Sequence, residues 1–409
     1  MTFYGAPAVA SHTAARSSAR SAFILSTATR PRLKLAAWAS ALALACAAFA
    51  PAQAMESLAP QKVQAQVSEI ARGLEHPWGL AFLPDGSMLI TERPGRLRLL
   101  DKSGRLSAPL AGVPTVEADG QGGLLDVVLS PGFAQDRRVY LSFAEAGGGK
   151  AGTAVGYGRL ATDNRSLTDF KVIFRQEPKL STGNHFGSRI VFDEKGYLFV
   201  TLGENNQRPT AQDLDKLQGK VVRLTAEGRV PQDNPFVGRA GARPEIWSYG
   251  HRNSQGMALN PWTGVLWEHE HGPRGGDEIN LIERGANYGW PIATHGINYS
   301  GLRIPEAKGD SMEGAVDPYY WWKKSPGVSG MAFYTDDRYP AWQRSLFIGA
   351  LAEEDLIRLQ LDGDKIVREE RLLGKHQARV RDVRQGPDGA IYVLTDAPEG
   401  ALLRVTPAN

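Results

Sequence analysis

Cysteine is all but missing from this chain. Its 409 residues hold one, Cys46. Residues 55–409 hold none, which excludes disulfides, thiolate metal centres and cysteine-attached haem from that part. Acidic residues are missing from 1–54. Long helical periodicity is scarce, and only 209–222 suggests a short helical or turn segment. A surplus of positive charge is also lacking. The chain has 47 Lys and Arg against 44 Asp and Glu, but five of the basic residues lie in 1–54. The remainder carries 42 against 44, a formal net charge of −2. Nothing in it asks for nucleic acid.

What the first 54 residues do contain reads as an address. Arg16, Arg20, Arg30, Arg32 and Lys34 lead, an apolar run follows at 35–50, and Ala52-Gln53-Ala54 offers an A-x-A cleavage site. Basic, apolar and small in that order make a cleaved secretory signal over 1–54. The apolar run is short and Ala-rich for a membrane span. Ala43 stands where a lipoprotein site ending at Cys46 would want a larger aliphatic. The expected location is periplasmic or secreted, with no membrane span in the mature chain 55–409.

Glycine (45) and proline (25) make up about a sixth of the chain, which suits many short strands and turns. One unit recurs: a short apolar strand, a turn and a second apolar strand. It occupies 78–91, 124–143, 189–200, 256–267, 330–348 and 383–394. Its Pro-Asp-Gly-type turns reverse the chain tightly. Six units over about 350 residues predict an all-β, six-bladed β-propeller forming one domain over 55–409. A pair of β-sandwiches is the competing architecture. Strands at 63–70 and 402–406 are expected to close the ring.

Several polar residues precede these strands. His185 lies in Ser181-Thr182-Gly183-Asn184-His185-Phe186-Gly187, a glycine-flanked loop suited to close backbone approach. A neutral imidazole there fits a general base or a hydrogen-bonded structural histidine. Arg252 suits a carboxylate, a developing oxyanion or a surface salt bridge. Glu268-His269-Glu270-His271 suggests a transition metal, but strand alternation would part the histidines from the glutamates. The following Gly272-Pro273-Arg274-Gly275-Gly276-Asp277-Glu278 offers carbonyls and carboxylates, which suits calcium or a purely structural turn.

Five segments in order carry a family resemblance: Gly120-Gln121-Gly122-Gly123-Leu124; Tyr249-Gly250-His251-Arg252-Asn253-Ser254-Gln255-Gly256; Gly272-Pro273 with Asp277-Glu278-Ile279-Asn280-Leu281-Ile282; Gly285-Ala286-Asn287-Tyr288-Gly289-Trp290-Pro291; and Arg379-Val380-Arg381-Asp382-Val383. Together they resemble the soluble aldose sugar dehydrogenases that use pyrroloquinoline quinone (PQQ), six-bladed propellers of the glucose/sorbosone dehydrogenase type. The resemblance spans about 70–406.

It implies oxidation of the C1 hydroxyl of aldose sugars to lactones, with hydride passing to the quinone C5 and electrons leaving to an external cytochrome or quinone. By motif, His185 would be the base and Arg252 would steady charge on the quinone oxygen. Gln121, Asn253, Tyr299, Ala350, Ala352, Arg379 and Arg381 would line the cofactor. Gly272 and Pro273 carbonyls would hold a calcium at the quinone, and Glu278 and the Tyr288 carbonyl would serve a second, structural calcium.

Two departures stand out. The family often has lysine where Ala352 stands, and Glu353-Glu354 follow. Lys323 or Lys324 are the candidates to compensate. Asn184 also replaces an Asp that would orient the base in some relatives. These departures keep two other readings open: a propeller binding or adhesion module without cofactor, and a calcium-dependent lactonase. Loops 144–157 and 297–318 are expected to border the pocket.

Overall fold

The computed structural model describes residues 54–181 and 183–408. The signal read at 1–54 lies outside them except for Ala54. The described chain is almost entirely strand, with one four-residue α-helix at Phe133–Asp136. The segment suspected of helix at 209–222 holds only a 3-10 turn, Arg208–Ala211, before the strand Lys220–Thr225.

Six sheets form, one per repeat unit. Blade 1 is Pro77–Phe82, Met88–Glu92 and Arg96–Leu100. Blade 2 runs from Leu124–Leu129 to Leu167–Arg175, and blade 3 from Ile190–Phe192 to Ile246–Tyr249. Blade 4 begins with Ser254–Leu259, Leu266–Glu270 and Asp277–Ile282. Blade 5 begins with Val328–Tyr334, and blade 6 with Val380–Gln385. The first strands of neighbouring blades touch in turn, and the last touches the first. That closed ring is a six-bladed β-propeller.

Closure comes from Ala65–Leu74, which pairs antiparallel with the last strand, Gly400–Pro407, in blade 6. Early and late chain thus share one sheet, as 63–70 and 402–406 predicted. Ahead of it, Met55–Glu56 adds in parallel to Tyr320–Trp322 of blade 4, and Gln61–Lys62 to Lys365–Arg371 of blade 5.

The core is divided among the blade interfaces. Leu89, Leu124 and Leu141 join blades 1 and 2, Val155, Ile190 and Val222 join blades 2 and 3, and similar clusters serve the other four interfaces. Each blade is covered on both faces. Ser345–Ala350 is therefore buried at every residue and reads as a continuous apolar run rather than an alternation. The turn at Asp85-Gly86 shows why the repeat carries its motif. Asp85 Oδ1 accepts from the Ser87 N–H and hydroxyl, while Gly86 takes φ +86°.

Charge ties the ring together at its axis. Arg189 Nη1 donates to Asp126 and Asp382 at 3.0 Å each, and Arg384 bridges the same two carboxylates. These residues sit on the innermost strands of blades 2, 3 and 6. Removing one member would leave an unpaired buried charge, which typically costs about 3–5 kcal/mol.

Candidate active site

The connections from one blade to the next and the turns between the second and third strands of the blades gather over one end of the ring. With the 297–301 segment of blade 4 they line a cavity of roughly 850 Å³. Its floor includes Trp78, whose ring carries Arg189 at 4.5 Å and Arg381 at 5.9 Å. Arg93, Arg274, Lys323, Lys324, Arg379 and Arg381 line it. Its lining carboxylates are both engaged. Asp277 accepts the N–H groups of Gly272, Gly327 and Val328. Asp396 meets Arg381 at 3.2 Å and His76 at 3.0 Å. The cavity therefore presents a surplus of positive charge, which suits a multiply anionic, planar ligand.

Gln121, Tyr299, Ala352, Arg379, Arg381, Gly272 and Pro273 line this cavity. His185, Arg252 and Asn253 are buried against its wall, beside the lining residues Phe186, Gly187 and His271. Ala350 is a correction. It is fully buried in the core between blades 4 and 5, and the next residues, Leu351 and Ala352, reach the cavity instead. The strand Ser345–Ala350 is buried to its last residue, and the cavity begins only in the turn after it. Residues 144–157 are a second correction, because most of them form a hairpin of blade 2. Ile297, Tyr299 and Gly301 do border the cavity, as expected of the 297–318 loop.

The sequence reading missed the partner of His185. His185 Nδ1 lies 2.6 Å from Glu204 Oε2, and the His185 N–H donates to Gln121 Oε1 at 2.9 Å. Glu204 is fully buried just past the strand Tyr197–Leu202. A carboxylate therefore does orient the imidazole, although Asn184 is not its source. Gly203 makes this possible: a Cβ there would fall 1.9 Å from the His185 carbonyl oxygen. The Gly-Glu step after a strand was the available signal.

Arg252 Nη1 donates to the carbonyls of His271 (3.0 Å) and Gly272 (2.9 Å), and its guanidinium lies 5.4 Å from the Trp290 ring centroid. Asn253 Oδ1 accepts from the Gly187 N–H and Gln255 Nε2, linking the His185 loop to blade 4. Burial holds the His271 pKa well below its usual value, so the ring is neutral. Its Nε2 lies 2.6 Å from the Val328 carbonyl, which makes that nitrogen the N–H donor.

Ala352 leaves no gap in the positive lining, because Lys323 and Lys324 stand in the same wall. Glu353 does not add free negative charge there. Arg371 holds it at 2.8 Å and Lys324 Nζ lies 3.8 Å away.

Glu278 and Tyr288 line a separate small cavity together with Asp310 and Asp317. Burial, then Glu270, pushes the Glu278 pKa well up. Several carboxylates around one void fit a hard cation such as calcium.

Over residues 74–404 the chain matches the Glucose / Sorbosone dehydrogenase family. The chain belongs to that family. It is 62% identical to the Escherichia coli K12 aldose sugar dehydrogenase YliI over 353 residues, covering 86% of this chain and 95% of that protein. The crystal structure of the soluble E. coli aldose sugar dehydrogenase in its apo form superposes with a TM-score of 0.83, covering 84% of this chain and all of that one. The PQQ-bound aldose sugar dehydrogenase of Streptomyces coelicolor is 30% identical, with a TM-score of 0.70 over 85% of this chain and all of that one. The E. coli and S. coelicolor relatives are thus named as aldose sugar dehydrogenases, and the S. coelicolor protein was solved with PQQ bound.

Proposed function

We propose that this chain is an exported, PQQ-dependent and calcium-supported aldose dehydrogenase that oxidises the C1 hydroxyl of sugars to lactones. The observation that carries the reading is the His185–Glu204 pair, buried against a cationic cavity large enough for both cofactor and sugar.

Glu204 holds Nδ1, so Nε2 is the nitrogen left to take the C1 hydroxyl proton. The imidazolium so formed is stabilised by the carboxylate it already touches. Arg379 and Arg381 suit the cofactor's carboxylates, with Gln121, Asn253 and Tyr299 completing its surroundings. PQQ would supply the acceptor for the C1 hydride. Arg252 is fixed through Nη1, which leaves other donors of its fork for charge that develops on a quinone oxygen. Gly272 and Pro273 carbonyls would hold a calcium that polarises the quinone, with the Gly272 carbonyl released from Arg252 Nη1 as the ion binds. Glu278 and the Tyr288 carbonyl suit a second calcium that holds structure. Electrons would leave to an external acceptor.

The test is reconstitution. The mature chain is mixed with PQQ and calcium, and dye-linked oxidation of glucose and other aldoses is followed beside apo and EDTA-treated samples. Activity that needs both additions supports the reading. No activity, no change in cofactor absorbance and no change in melting temperature would favour the cofactor-free binding module.

A further inference from the structure

Blade 4 buries more carboxylate than its surroundings balance. In the strand register Ser254 stands opposite Glu270, Glu270 opposite Glu278, and Glu268 opposite Asn280. Paired residues share one face of an antiparallel sheet, so three glutamates gather where blade 3 covers blade 4. His251 closes the group from the turn between the blades. Its Nδ1 lies 3.1 Å from Glu270 Oε1 and 4.0 Å from Glu268 Oε2. His251 and Glu268 are fully buried and Glu270 nearly so. Among the described residues, no Lys or Arg side chain pairs with any of the three carboxylates. Their donors are backbone N–H groups, the His251 ring, Asn280 Nδ2 and, at Glu268, the Ser254 hydroxyl.

One ligand atom from each of His251, Glu268 and Glu270 falls within 4.8 Å of the others. A second observation is independent of that clustering. Asn280 Oδ1 is buried without a hydrogen-bond partner, and Glu268 Oε1 has only the Ser254 hydroxyl beside it. An unpartnered oxygen beside carboxylates calls for a cation. The other ring nitrogen of His251, Nε2, lies 2.9 Å from Ser248 Oγ, an arrangement that orients an imidazole whose Nδ1 is a ligand.

We propose that His251, Glu268 and Glu270 hold a first-row divalent transition cation of the Mn2+ or Zn2+ class between blades 3 and 4. A nitrogen ligand beside two carboxylates suits these ions better than calcium, which takes oxygen donors. Glu278 adjoins the group through Asn280 Nδ2, but it lines the neighbouring cavity of Tyr288, Asp310 and Asp317 and is not one of the three proposed ligands. The ion would also steady the catalytic turn, because Glu270 Oε2 accepts the N–H groups of Arg252 and Asn253.

The experiment uses the EDTA-stripped mature protein in excess calcium. Mn2+ binding is followed by electron paramagnetic resonance, with Zn2+ as competitor. We expect one Mn2+ per chain, displaced by Zn2+. Glu268→Gln and His251→Gln should each weaken it at least about tenfold, while Glu278→Gln retains it. Melting curves establish that each variant is folded, and Mn2+ should raise the melting temperature of the unsubstituted protein. Absence of Mn2+ binding in that protein, or loss of binding only in Glu278→Gln, overturns the proposal. A proton shared between Glu268 and Glu270 would then balance the cluster.

Discussion

Glu204 Oε2 lies 2.6 Å from His185 Nδ1, and the two residues meet at the open end of blade 3's inner hairpin. His185 precedes the strand Ile190–Phe192, and Glu204 follows the strand Tyr197–Leu202. The pair engages Nδ1 and so leaves Nε2 as the nitrogen for proton transfer. Glu204→Gln keeps the shape and removes the charge. It should lower kcat by about 10²–10⁴-fold while PQQ affinity stays near that of the parent. His185→Gln should stop turnover with folding and cofactor binding intact. Steady-state kinetics beside a PQQ absorbance titration separates the two effects. A normal kcat in either variant removes that residue from the mechanism.

Lys323 and Lys324 replace the positive charge that Ala352 lacks. Lys324 is highly exposed, so each lysine should contribute modestly. The double variant Lys323→Ala/Lys324→Ala is expected to weaken PQQ binding by about five- to twentyfold. The loss should shrink at high salt, because exposed charges are screened. A titration with unchanged affinity would show that Arg379 and Arg381 suffice.

Asp396 predicts a loss of stability in acid. Burial alone would raise its pKa, but Arg381 foremost, with His76, draws it down from 3.8 to about 2. The folded state therefore holds this carboxylate ionised where the unfolded chain begins to protonate. Its contribution, about 2 kcal/mol, is complete above about pH 4 and falls away as pH drops toward about 2. Asp396→Asn should be less stable at neutral pH and should flatten that part of the curve. Denaturant unfolding between pH 2 and 7 measures it. An identical pH slope in the variant would refute the assignment.

Calcium should stabilise the fold through the Glu278 cavity. At a hundredfold excess over its Kd, a bound ion contributes about 3 kcal/mol. EDTA should lower the melting temperature by several degrees, and Glu278→Gln should abolish the calcium-dependent part. A melting curve indifferent to calcium would remove Glu278 and Tyr288 from any cation site.

The fold was legible because each blade announces itself locally. Two apolar strands and a turn fit within about 20 residues, and Asp85-Gly86 shows how short-range hydrogen bonds fix such a turn. Gln121, Arg379 and Arg381 were legible through the family resemblance of their motifs, and the structure brings all three to the cavity. Ala350 was misplaced because its strand is buried to the last residue and only the turn that follows reaches the cavity.

Sequence alone determined the class of the fold, its six units, the closing strands and most of the residues around the cavity. Those properties depend on local periodicity, turn chemistry and short motifs. Only the tertiary structure decided which groups act on one another. Nineteen residues separate Glu204 from His185, and a Gly203 with no side chain lets the two loops meet. Lys324 reaches the cavity wall from blade 4, Ala352 from blade 5 and Arg379 from the approach to blade 6. Ring closure brings them together, and no spacing along the chain encodes that distance.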